Sequence, residues 1–172
     1  MTKRNVMIQI STSRIAIATQ LFNEMQADEE DEEFPQEADN GMPEATDMWM
    51  EGRLVTGAQR VELVYEETEL SGMDGSVTSI GFDREAPTLI TMMRSGPVST
   101  AMVFEEGKRH FCVYDTPFSS FQICVRALEV DNRLLSEGLL ILEYQIEVQG
   151  AQAERCRMTV RISDDKDLFE ET

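Results

Sequence analysis

Apolar and polar residues alternate along most of this chain, and a period of two puts successive side chains on opposite faces of an extended backbone. Val6, Ile8 and Ile10 alternate with Asn5, Met7, Gln9 and Ser11, which predicts a first strand. Ile17, Leu21 and Met25 are also spaced for a helix over 13–25, so beyond Ile10 the pattern supports strand and helix alike. Residues 48–56 and 60–67 form two further strands around Gly57, with Val61, Leu63 and Tyr65 on one face and Glu62 and Glu66 on the other. A turn-rich connection over 69–75 leads to a strand over 76–82. Between Pro87 and Phe118, three extended runs are punctuated at Ser95-Gly96-Pro97, Glu106-Gly107-Lys108 and Thr116-Pro117, the pattern of a β-meander. In its middle run Val98, Thr100, Met102 and Phe104 share a side. Residues 121–131 form a longer strand of ambiguous inward face. Residues 132–138 form a loop with room for one helical turn. Leu140, Leu142, Tyr144, Ile146 and Val148 then alternate with polar neighbours, and Gln149-Gly150 closes a last hairpin.

Many short strands joined in sequence predict an all-β fold, an antiparallel up-and-down barrel of about 8–10 strands, because closure removes unpaired edges. A length of 172 residues fits one domain over 1–172. The methionines and Trp49 fall on alternating strands and are expected as core fillers, or as the wall of an adaptable apolar cavity.

Composition changes this picture at one place. Residues 24–47 hold the run from Asp28 to Glu33, followed by Phe34-Pro35, Asn40-Gly41 and Met42-Pro43. Six successive like charges repel one another and cannot be desolvated cheaply, so a flexible acidic insertion is expected here, and a charged tail at 164–172. Calcium-loop spacing is absent from the run. The formal net charge of −18 and a pI near 4.3 set the surface against phosphate backbones, so no nucleic-acid partner is expected. Arg155, Arg157 and Arg161 read as the solvated face of a strand whose other face is Cys156, Met158, Val160 and Ile162. No apolar run is long enough for a membrane span, and polar Gln9 and Ser11 interrupt what would be the apolar core of a signal peptide. Cys112, Cys124 and Cys156, odd in number and set in apolar strands, are expected as reduced thiols of a cytoplasmic protein.

The combination Glu69-x-x-Gly72-x-x-Gly75, Arg94-x-Gly96 and Phe104-x-x-Gly107-x-x-His110-x-Cys112-x-Tyr114-Asp115-Thr116-Pro117-Phe118, with the later Gly138 and Tyr144 strand, resembles the YwiB-like family of small bacterial proteins. The resemblance spans 48–162 and the first strand, and departs in the long acidic insertion. It implies a calycin-like (lipocalin-like) β-barrel in a bacterial cytoplasm, with no established activity.

Reaction-bearing motifs are absent: no phosphate-binding glycine loop, no Gly-x-Ser-x-Gly, no Cys-x-x-Cys. His110, Cys112 and Tyr114 share a strand face, but residues two apart stand about 6.5–7 Å from one another, too far for direct proton transfer. The same pair supplies at most two ligands of a zinc site, so neither a metal nor another cofactor is expected. Arg94 closes an apolar run, where its guanidinium either pairs with a carboxylate such as Glu66 or Glu69 or clamps an anionic ligand at the barrel mouth. Candidate ligand-binding residues are therefore Arg94, His110, Tyr114, Tyr65 and Tyr144, with a small apolar or amphipathic molecule as partner. Two other readings stand beside this one. A filled barrel would contact a partner protein through its outside, and an enzyme would rely on His110 and Arg94.

Overall fold

The computed structural model describes residues 1–16, 44–148 and 151–164. Ten strands run in chain order: β1 (Thr2–Ala16), β2 (Glu44–Thr56), β3 (Arg60–Glu66), β4 (Val77–Asp83), β5 (Ala86–Ser95), β6 (Thr100–Glu105), β7 (Arg109–Asp115), β8 (Ser120–Arg133), β9 (Leu139–Val148) and β10 (Ala151–Ser163). A 3₁₀ turn (Glu69–Ser71) follows β3, and a four-residue helix, α1 (Leu134–Glu137), follows β8. The strands hydrogen-bond antiparallel in the order β6-β5-β4-β3-β2-β1-β10-β9-β8-β7, so neighbours in the sheet are neighbours in sequence except where β1 meets β10. That pairing, with Ile8 opposite Ile162 and Ile10 opposite Val160, joins the first and last strands and curls the sheet into a nearly closed up-and-down barrel.

Alternation decides which residues fill it. Ile8, Leu63, Ile80, Ile90, Leu140, Leu142 and Val160 point inward from six strands and are fully buried. Branched aliphatic side chains lose little rotamer freedom on a pleated surface, which suits them to this packing. α1 stands at the β1 N-terminal end, where its Leu134 is buried beside Leu54 and stops that end. The helix ends at Gly138, whose φ of 68° lies in the left-handed region. Its N–H donates to the Leu134 carbonyl, and a Cβ there would stand 2.8 Å from the Ile162 carbonyl oxygen, so glycine is required on two counts.

The first strand continues as a strand to Ala16, and the part of the helical alternative beyond it lies outside the described residues. β2 begins at Glu44, four residues inside the stretch expected as loop, because Glu44 to Asp47 pair with Arg14 to Ser11. The rest of the acidic insertion, the Gln149-Gly150 turn and the tail beyond Asp164 lie outside the described residues. Trp49 is not a core filler: it sits on the outer face of β2, 46% exposed, while Met48 and Met50 on either side of it are buried.

The ambiguous face of β8 has a physical cause. Ile123 and Val125 point inward, and Cys124 between them points outward, yet all three are buried. Arg109 and Glu147 form an ion pair on that outer face, where Cys124 stands directly opposite Glu147, so apolar periodicity disappears from the strand. A bulge between Ala127 and Glu129 then shifts the register with β9.

The meander is interrupted where the sequence pattern predicts continuous pairing. β6 and β7 are the two ends of the sheet. Among the described residues their backbone connection is made at the turn, where Lys108 N–H donates to the Glu105 carbonyl at 2.9 Å, and at the other end, where Ser99 and Asp115 exchange both backbone bonds at 2.9 Å. Both contacts fit one hairpin register, so the strands are splayed between two pinned ends.

Candidate functional site

The end of the barrel opposite α1 is hollow. A cavity of about 670 Å³ is lined by the C-terminal halves of β1, β3, β5, β7 and β9, the N-terminal halves of β2, β6, β8 and β10, and the 3₁₀ turn. The change from solid to hollow follows from side-chain type. The aliphatic residues of the filled half give way to Met48, Met92, Met102 and Met158, then to Tyr65, Tyr114 and Tyr144, and at the rim to Thr12, Arg14, Glu44, Thr46 and Glu154. Phe104, fully buried, meets Tyr144 edge-to-face at 4.9 Å between ring centroids and marks the floor. A second depression, about 500 Å³, lies on the outer face of β1 to β4, among Met7, Glu51, Arg53, Val64 and Val77. Of the five candidate residues, Tyr65 alone is among those that line it.

Four of the five candidate residues converge on the cavity, and their arrangement differs from a ligand clamp. Arg94 donates from Nη2 and Nε to Glu67 Oε1 at 3.1 and 3.3 Å, and from Nε to Thr78 Oγ1 at 3.1 Å. Thr78 in turn donates to the same Glu67 oxygen at 2.6 Å. The two charged side chains are 8% and 1% exposed. The partner is therefore Glu67, not Glu66 or Glu69, and the pair is embedded in the wall rather than presented at the mouth. Burial, and next the Glu67 charge, push the Tyr65 phenol up, so it remains a neutral hydroxyl. Burial, and next Cys156, do the same for Tyr144. Tyr114 donates to Met73 Sδ at 3.8 Å and stacks at a tilt on Phe121, 5.4 Å away, at the edge of the opening.

His110 is not part of the site. It lies near the turn of the β6–β7 hairpin, its Nε2 3.1 Å from Glu105 Oε2, outside the cavity lining. Lys108 holds the other Glu105 oxygen at 2.7 Å, and Lys108 first and His110 next lower the Glu105 carboxyl below its ordinary range. The imidazole belongs to a turn-stabilising cluster. Cys112 also faces inward, but burial raises its thiol and Thr100 is its hydrogen-bond partner, at 3.9 Å. Cys156 lies on the cavity wall, its thiol pushed up to about 12 by burial and then by Glu154.

Sequence reasoning missed Glu67, Arg14 and Glu154. Each carried a signal in strand parity: Glu67 continues the inward series Val61, Leu63, Tyr65; Arg14 continues Ile8, Ile10; Glu154 precedes Cys156, Met158 and Val160. A charge on the inward face of a strand marks a mouth or a buried pair, and here it marks both.

The fold and site define a half-filled antiparallel barrel, solid at one end and open at the other as a methionine- and tyrosine-walled cavity with a charged rim. The chain belongs to the family described as Domain of unknown function (DUF1934), whose model matches residues 31–160. The structure is similar to the crystal structure of the ywiB protein from Bacillus subtilis, with a TM-score of 0.66 and 15% sequence identity over 94% of this chain and 93% of that one. That likeness concerns the fold. No curated protein matches the chain in sequence. Among the described residues, no helix is long and apolar enough to cross a membrane.

Proposed function

We propose that this protein is a non-enzymatic, calycin-like binding module of the bacterial cytoplasm that holds one small amphipathic molecule at its open end. The observation that carries the reading is the cavity. Ligand sites range over about 300–1,000 Å³ and combine an apolar wall with a few polar groups, and about 670 Å³ lined by methionine, tyrosine and a polar rim fits that description. Methionine thioethers repack at little cost around different shapes, which suits a wall that adapts to its guest. Unpaired Cys112, Cys124 and Cys156 are in keeping with a reducing compartment. Catalysis has no support in the same geometry, since Arg94 is engaged by Glu67 and His110 lies away from the cavity.

The test is a fluorescence titration with N-phenyl-1-naphthylamine, a neutral probe that brightens in apolar surroundings. Saturable binding of one probe per chain, with a Kd of about 1–100 μM, or about −8 to −5.5 kcal/mol, is expected. Ile146→Trp, which places an indole in the cavity wall, should weaken it at least tenfold. Absence of saturable binding by the wild-type protein would overturn the reading.

A further inference from the structure

We infer that the guest of this cavity is a cationic amphiphile, an apolar body bearing a protonated amine or quaternary ammonium group. The inference rests on the binding reading above and specifies its chemistry. It begins with Arg94, the residue that would recognise an anion. Two of its nitrogens are on Glu67 Oε1, and the pair is nearly sealed in the wall. A guanidinium already neutralised in this way offers no free fork to a carboxylate or phosphate, and detaching it would leave Glu67 buried without a counter-charge.

What remains charged at the opening is predominantly negative. Arg14 is the rim cation, directly opposite Glu44 on β2 and Cys156 on β10, with Glu154 two residues along the same strand face. Arg14 and Glu154 act with opposite sign on Cys156, which places both at the same part of the wall. Once the Glu67–Arg94 pair cancels, two carboxylates face one guanidinium among the described lining residues. The turn residues Leu70, Ser71 and Met73 that complete the rim are flanked by Glu69 and Asp74. The protein as a whole carries a net charge of −18. An entering anion meets this field unaided, whereas an entering cation relieves it.

The aromatic lining has the same preference. Tyr65, Tyr114, Tyr144 and Phe121 surround the upper cavity, and the faces of such rings carry negative potential that attracts alkylammonium groups. An ammonium head placed between the rings and Glu154 would find both a π-face and a counter-charge, with the apolar body on the methionines below.

The experiment displaces N-phenyl-1-naphthylamine from the intact protein with three ten-carbon amphiphiles below their micellar concentrations: decyltrimethylammonium, decanol and decanoate. The cation should displace the probe at a concentration at least tenfold lower than decanoate, with decanol between them. Glu44→Gln/Glu154→Gln should reduce the ratio to about threefold or less. Glu85→Gln/Glu106→Gln, which removes the same number of charges from exposed sites off the cavity lining, should leave it unchanged. Matching circular dichroism and thermal melts establish that both variants are folded. Equal or tighter displacement by decanoate would overturn the inference while leaving a binding site in place, and so would a ratio that the rim variant does not move. If the probe binds and none of the three displaces it, or if it never binds, the binding reading fails and this inference with it.

Discussion

Glu67 is the residue on which the open end turns, because it is a carboxylate held almost out of water by Arg94 and Thr78. A buried pair adds little when compared with apolar side chains of the same size, but breaking it leaves one charge unsolvated. Arg94→Ala is therefore expected to cost about 3–5 kcal/mol in urea unfolding. Arg94→Met/Glu67→Leu should recover most of that loss, and a cost below about 1 kcal/mol for the single variant would mean that Glu67 is solvated after all. Cys156 gives a pH-dependent counterpart. Its thiol is raised to about 12 in the folded protein, against about 8.5 in an unfolded chain. The contribution it makes is complete below about pH 8.5 and is lost as pH rises towards 12, since only the unfolded chain then releases the proton readily. A Cys156→Ala variant should show a shallower fall in melting temperature over that interval than the wild type. At this scale the sequence was partly legible. Strand parity put Tyr65 and Tyr144 on the apolar faces of their strands and Tyr114 on one face with His110 and Cys112, and the turn after Arg94 put that residue at a strand end. Parity did not reveal that Arg94 was already paired, because Glu67 is not close to Arg94 in the chain and the pairing depends on Thr78 between them. His110 was misplaced for a related reason: parity gives a face, but not the height along the barrel, and its height is that of the hairpin turn.

Among the elements, the β6–β7 hairpin departs most from what its sequence predicts. Alternation and a glycine turn at Gly107 were readable, and both strands form. What alternation cannot show is whether two adjacent strands stay together between the turn and the far end. The splay leaves a run of edge backbone on each strand, and the outer face of β7 carries Phe111 and Val113 at 70% and 57% exposure. Unpaired edges of this kind ordinarily invite pairing with another chain. Here Ser99 and Asp115 pin the mouth end, while β8 supports the turn through the Gly107 N–H bond to the Ala127 carbonyl at 2.9 Å. In the register set by those ends, the amides of Ala101, Val103, Phe111 and Val113 face the gap. The amides of Met102 and Cys112 face β5 and β8. Hydrogen exchange followed residue by residue should thus alternate along both strands, fast at 101, 103, 111 and 113 and slow at 102 and 112. The β1–β10 ladder should be slow at its paired positions. Uniform protection through β6 and β7 would mean that the hairpin is zipped in solution and the barrel fully closed.

At the scale of the whole molecule, one barrel is divided into a half that is solid and a half that is not, and the division follows residue type. Fold class, strand order and the inward set were legible because a period of two survives along most strands. The division was not, because methionine on an inward face serves equally as filler and as wall. Which it is depends on how many side chains reach the same level from the opposite strands. Leu142 is fully buried and is not among the residues that line the cavity, whereas Met102 borders it. Close-packed interiors penalise added volume by about 1–3 kcal/mol, since neighbouring side chains must leave their rotamers. Leu142→Phe should incur that cost. Met102→Phe should not, because the ring has empty space ahead of it, and burying further apolar surface can offset the loss of methionine flexibility. The two variants therefore give opposite results in two measurements. Leu142→Phe lowers the unfolding midpoint and, where folded, keeps the affinity for N-phenyl-1-naphthylamine. Met102→Phe holds the midpoint within about 0.5 kcal/mol of wild type and loses most of the probe binding. A substantial destabilisation by Met102→Phe would show that the methionines fill the open half themselves, and the barrel would then be solid from end to end.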